Sequence, residues 1–384
     1  MTLRAAPAPL QLDVSLVEHL LDTEAVVAAR AEVEARRTET CALPSLAVVE
    51  QPRRALEDYC TNRRASEVSR MLAAAARLRE LVDRVVIVGS AGTLAAVRAL
   101  LSSCLHPYHN ELSRGARGGR PRVYFVGDSI DNDALHGLLE ILESTDAQRN
   151  VPADAWAILA LSGDQAPECV TVLQLLHARL ATSCDGDEQR AAERICVVAG
   201  VGSPPADLGG ECLARFTEAD ELSDPWSIFT AAALLPAAVV GIDIVRLLVG
   251  GVAASEAFAD GDACPARELA AHRRALANGG AARRTLTTDL HALRGFRAWH
   301  DDWLAPMIHG GGAPGIAGTV QRLVVTAART RCDALGLASA ATADASPVRE
   351  LSIGLELPAL DEASLGQLAQ TLLLATLLER LPPR

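Results

Sequence analysis

The chain has 384 residues, 49% of them hydrophobic, with a formal net charge of −12. So acidic a protein is a poor match for a nucleic-acid backbone or an anionic membrane surface, and neither partner is expected. All 36 basic residues are arginine, so chemistry that needs an amine side chain is closed to these residues.

In chain order, residues 1–80 read as a helical segment, with helices over 14–21, 23–37 and 65–81 and breaks at Pro44 and Pro52. From 84 to about 200, near-continuous apolar strands (84–88, 122–126, 155–161, 194–199) alternate with helices (94–103, 132–143, 167–182). That alternation predicts an α/β fold with a parallel sheet covered on both faces, right-handed connections and ligands at the carboxyl ends of the strands. The first strand runs straight into Gly89-Ser90-Ala91-Gly92-Thr93. A glycine loop opening a helix points backbone N–H groups and the positive end of the helix dipole at one spot, so a phosphorylated small molecule is the first ligand to consider. The alternative is an ordinary strand-to-helix turn. A dinucleotide fingerprint fits less well, since Ala91 replaces the middle glycine and Asp128 lies far beyond the ~20-residue spacing of a ribose carboxylate.

The apolar run 228–241 meets Asp243 and Arg246 before reaching the ~20 residues a membrane span needs, and reads as a buried helix. Loops at 260–265 and 278–280 lead into a thinner α/β region, with strands over 284–288, 322–327 and 351–357 and helices over 290–304 and 362–380. Its glycine-rich stretch at 310–315 reads as a flexible break. The divisions expected are 1–80, 81–255 and 256–384.

Nine cysteines without a C-x-x-C pair read as reduced thiols of a cytoplasmic protein, and the first residues carry no apolar export signal. Arg114-Gly-Ala-Arg-Gly-Gly-Arg-Pro-Arg122 has no interleaved aromatics and reads as a solvated loop rather than an RNA contact. His106, His109 and His136 lack a carboxylate or thiol at ligand spacing, so no metal and no cofactor are expected. Asp361-Glu362 reads as an acidic pair starting a helix.

An ordered set of segments carries a resemblance. It comprises 84–93, 104–114, 122–135, Ala160-Leu-Ser-Gly163, Ala214-Arg-Phe-Thr217, Leu234-Leu-Pro-Ala-Ala-Val-Val-Gly-Ile-Asp243 and 357–367. Together they resemble phosphoglucose isomerase (glucose-6-phosphate isomerase), particularly its bacterial members, over most of 60–380. The resemblance implies two doubly wound parallel-sheet sugar-isomerase domains, here 81–255 and a reduced second one over 256–384. It also implies a sugar-phosphate ligand and assembly as a homodimer or with an intact paralogue. The family moves a proton between C1 and C2 of a sugar phosphate through a cis-enediol, which requires a positioned base and a fixed cation for the oxyanion.

Carried over residue by residue, the family's first loop falls on Gly89–Thr93 and its phosphate loop on Ala160-Leu161-Ser162-Gly163-Asp164-Gln165. The implied substrate-binding residues are therefore Gly92, Thr93, Ser162 and Gly163. Leu161 stands where the family has lysine, and the Asp164 carboxylate would repel phosphate. Arg215 falls at the enediolate-stabilising position; its alternative reading is a salt-bridge partner of Glu211, Glu218, Asp220 or Glu221. The glutamate base falls on Pro306, which can carry no proton, and the chain ends at Arg384 before the family's lysine-bearing helix. The expectation is a sugar-phosphate binder of weak or absent isomerase activity, or a non-catalytic partner of an intact isomerase.

Overall fold

A computed structural model of the chain describes residues 7–40, 46–129, 131–143, 155–161, 167–200, 211–260, 264–277, 283–308, 319–331 and 349–380. Its strands are β1 (Gln11–Asp13), β2 (Arg84–Val88), β3 (Arg122–Val126), β4 (Trp156–Leu161), β5 (Ile195–Ala199), β6 (Ala214–Thr217), β7 (Arg283–Thr287), β8 (Thr319–Ala327) and β9 (Arg349–Leu357). Its longer helices are α1 (Thr23–Thr40), α2 (Leu46–Asn62), α3 (Glu67–Leu81), α4 (Ala91–Cys104), α5 (Asn132–Glu143), α6 (Pro167–Ser183), α7 (Ala231–Val239), α8 (Ile244–Asp260), α9 (Pro265–Ala277) and α10 (Glu362–Glu379). Contacts group the chain into two compact units, residues 55–101 with 105–244, and residues 1–54 and 102–104 with 245–384.

The 55–244 unit is built on a parallel five-stranded sheet of order β3-β2-β4-β5-β6. All six residues of β4 are buried, as a strand covered on both faces requires. Val86, Val88, Ile158, Ala160 and Val197 face one layer, where they pack with Leu138 and Leu142 of α5 and Val172 and Leu176 of α6. The strand order reverses between β2 and β4, so the crevice at their carboxyl ends is where this architecture places ligands. The edge strand β6 was not foreseen: four residues with an arginine in the middle give no apolar run.

At the opposite, amino-terminal end of the sheet, the arginine-rich stretch does not form the solvated loop expected. Arg114, Arg117 and Arg122 converge on Asp83 at 2.8, 2.9 and 2.6 Å, and the Arg117 side chain is fully buried. Arg114 also donates to the carbonyls of Arg79 and Val82, covering acceptors that the end of α3 leaves unsatisfied.

The other unit holds a four-stranded sheet of order β1-β9-β8-β7, in which β7, β8 and β9 are parallel and β1 is antiparallel to β9. The expected helical segment is present, and β1 precedes its first helix; at three residues β1 is too short to show a period. Pro52 departs from expectation, lying inside α2 rather than breaking it. A proline there cannot donate to the carbonyl of Val48. Buried Gln370 of α10 supplies the missing donor, Nε2 to Val48 O at 3.0 Å, and Ser255 Oγ donates to Val49 O at 2.7 Å. Close helix packing rests on Gly250 and Gly366, where an added Cβ would collide with the backbone carbonyls of Ala363 and Leu247 respectively.

This unit also buries charge. Glu379 accepts from Arg273 Nη1 at 3.1 Å and Arg284 Nε at 2.9 Å, with all three side chains at most 5% exposed. Beside them His300 Nδ1 meets Asp301 Oδ1 at 2.7 Å, and Asp301 also accepts from Thr285 Oγ1 and the Leu286 N–H. Burial pushes the Glu379 and Asp301 carboxyls up, but the two arginines and the His300 pair outweigh it and hold both below their ordinary values. Burial holds the His300 imidazole below its ordinary value. All three shifts favour folding at neutral pH. The unfolded chain protonates its histidine first, so stability begins to fall below about pH 6.5 and falls further through the carboxylate range. Equilibrium denaturation from about pH 7.5 to about pH 4 is expected to show this decline. Glu379→Gln, which leaves two buried guanidiniums short of a counter-charge, is expected to cost about 3–5 kcal/mol at neutral pH.

Candidate functional site

The glycine loop leaves β2 at Val88 and turns at once into α4. Gly89 N–H donates to Val126 O at 3.2 Å, tying the end of β2 to the end of β3. Gly127, just beyond β3, has φ +104°, and a Cβ there would stand 2.9 Å from Gly89 O and 3.2 Å from Cys169 Sγ. On its other side Gly89 abuts Leu161, the last residue of β4. The carboxyl ends of three strands thus press together around one glycine.

Ser90 is the N-cap of α4, its Oγ accepting the Thr93 N–H at 3.3 Å. The same Oγ lies 2.6 Å from Asp224 Oδ1 and 3.1 Å from Thr93 Oγ1. A carboxylate can only accept, so the single Ser90 proton goes to Asp224. Thr93 is wholly buried. Asp224 is a non-glycine residue at φ +52°, directly before Pro225. Nearby in sequence, buried Glu218 accepts from Thr230 Oγ1 at 3.0 Å, and Thr230 caps α7. Cys169, whose Sγ lies against Gly127 O, has its thiol pushed up to about 11 by burial, with Glu168, Asp128 and Asp224 adding to the shift. It is therefore a protonated thiol at neutral pH rather than a nucleophilic thiolate.

Of the residues singled out from sequence, Gly92 and Thr93 lie in the first turn of α4. Ser162, Gly163 and Asp164 fall outside the described residues. Arg215 is on β6, in register with Val197 of β5, Ala160 of β4 and Val88 of β2. Three strand spacings separate it from β2, about 14 Å across the sheet. Phe216, the next residue, is buried under the Arg70 guanidinium of α3, and strand alternation sends Arg215 to the opposite face. Pro306 belongs to the other unit, exposed in the helical turn Ala305–Ile308 that follows a wide π turn at His300–Leu304. Among the described residues, no group of three His, Cys, Asp or Glu side chains could hold a metal ion. No helix among them is long and apolar enough to cross a membrane.

No family model matches the chain. It is 30% identical over 236 residues to the glucose-6-phosphate isomerase of Symbiobacterium thermophilum, covering 61% of this chain and 50% of that protein. In sequence the chain is similar to glucose-6-phosphate isomerases. It spans about half the length of the curated relatives it matches. A glucose-6-phosphate isomerase from Chlamydia trachomatis superposes with a TM-score of 0.58 over 94% of this chain and 81% of that one, at 14% identity. A hypothetical protein from Thermus thermophilus gives 0.69 over 96% and 93%, at 17% identity. The isomerase fold is thus retained.

Asp224 is the residue that reading the sequence missed. Ser223-Asp-Pro marks a turn, which is visible locally. Its bond to Ser90, 134 residues earlier, leaves no local trace. Ser90→Ala removes both the cap of α4 and the hydroxyl that donates to Asp224 Oδ1, and is expected to cost about 1–2 kcal/mol or slightly more. Urea denaturation checks this; a loss below about 0.5 kcal/mol would mean that the Ser90–Asp224 contact does not hold the loop.

Proposed function

We propose that this chain is a glucose-6-phosphate isomerase relative that binds a sugar phosphate weakly and isomerises it negligibly. What carries this reading is Pro306, which falls at the family's base position if the resemblance is carried over residue by residue, in a chain whose 384 residues include no lysine. Loss of a general base alone forfeits ~10²–10⁴ in rate. Binding is supported by the glycine loop at the amino end of α4 and by Arg215 on the same register row as the end of β2. In this reading Gly92, Thr93, Ser162 and Gly163 line the phosphate side and Arg215 meets the sugar. The protein acts in the cytoplasm as a homodimer or joined to an intact paralogue.

A second reading, a structural partner of an intact isomerase, is favoured by one specific observation: Thr93 is buried and Ser90 already serves Asp224. In the partner reading the loop is a packing device and binds nothing.

A dehydrogenase-coupled assay with fructose 6-phosphate is expected to show no turnover approaching ~1 s⁻¹, the lower end of usual enzyme rates. Turnover above that would overturn the reading. Calorimetry with 6-phosphogluconate separates binder from partner: weak binding that is lost in Arg215→Ala supports the first, and no binding at millimolar ligand supports the second.

A further inference from the structure

The amino end of α4 is where this fold offers an anion its donors, and a carboxylate of the same chain already stands there. Ser90 Oγ donates to Asp224 Oδ1 at 2.6 Å, a short charge-assisted bond. The negative charge of Asp224 thus sits at the N-cap of a fourteen-residue helix, where the dipole favours an anion. Asp224 reaches this place at a backbone cost: φ is +52°, and the following Pro225 narrows its choices further. A residue in such a conformation persists only where its surroundings hold it there. One contact that holds it is made to the glycine loop, across 134 residues of sequence.

We propose that Asp224 is an internal plug of the glycine loop, competing with phosphate for the Ser90 hydroxyl and the amino end of α4. A phosphate group accepting from Ser90 would stand against a carboxylate accepting the same proton, so the two exclude each other by geometry and by charge. Phosphate then binds only as the turn carrying Asp224 moves away, and the affinity observed is the intrinsic affinity reduced by the fraction of molecules with the plug withdrawn. This inference rests on the sugar-phosphate reading of the loop.

The test is calorimetric titration of inorganic phosphate and of 6-phosphogluconate into the full chain, in the wild type, Asp224→Asn, Asp224→Gly and Asp128→Asn. Asparagine removes the charge while tolerating the left-handed backbone, and glycine removes the side chain while relieving the backbone. Asp128, which follows Gly127 and pairs with Arg98 at 2.9 Å, controls for the loss of any one nearby negative charge. Thermal unfolding verifies that each variant is folded. The expected result is binding tightened about tenfold or more for both ligands in both Asp224 variants, a shift comparable to one charge-assisted hydrogen bond, with Asp128→Asn near wild type. Wild-type binding that neither Asp224 variant tightens overturns the plug and leaves the sugar-phosphate reading standing. Equal tightening by Asp128→Asn overturns it as well, since any lost charge would then suffice. If no protein, variants included, binds either ligand at millimolar concentration, the sugar-phosphate reading fails and the plug falls with it.

Discussion

A single proton, carried by Ser90 Oγ, joins two segments 134 residues apart at the carboxyl end of β2. Given to Asp224, it fixes the start of α4, anchors a strained residue of a distant turn and commits the loop's first hydroxyl to the protein itself. The other hydroxyl of the loop, that of Thr93, is buried behind it. Helix caps and phosphate sites draw on the same donors, the unsatisfied N–H groups and short hydroxyls of a first helical turn. In this chain the two hydroxyls are turned inward.

The glycines of the loop have reasons to persist that do not involve a ligand. Gly89 lies between the ends of β3 and β4, and Gly127 approaches it so closely that any side chain would strike its backbone. The turn after β3 therefore needs glycine at Gly127 simply to let the strands end side by side. A fold of this kind can keep a glycine beside its strand ends for packing alone. The stability of the other unit likewise rests on packing and buried pairing: Gly250 against Ala363 and Gly366 against Leu247, Gln370 serving the carbonyl that Pro52 abandons, and Glu379 between two arginines.

Much of the fold could be read from sequence because buried parallel strands write themselves as apolar runs. The strands expected at 84–88 and 122–126 match β2 and β3 residue for residue, and β4 and β5 begin one residue later than expected. Asp361 accepts the Ser364 N–H at 2.9 Å as the N-cap of α10, in keeping with the acidic pair expected to start a helix there. Short or charged strands leave no such record, which hid β1 and the arginine-bearing β6. Pro52 misled because a proline is read as a local break, whereas the donor that lets α2 continue comes from Gln370, far along the chain. The arginine run misled for the same reason: three charges on a loop look solvated until Asp83 is placed among them. Asp224 is the extreme case, a turn residue whose significance is wholly a long-range contact.

On this reading the isomerase architecture remains while proton abstraction has been lost. The most direct test is at the bond itself: the protein is incubated with glucose 6-phosphate deuterated at C2, and loss of the label is followed by NMR. Label loss reports removal of the C2 proton even where no ketose is released. The account predicts washout no faster than in buffer. Washout that depends on the protein and disappears in Asp224→Asn would contradict it, showing that this carboxylate is a base and that the chain is an enzyme with a relocated catalytic group.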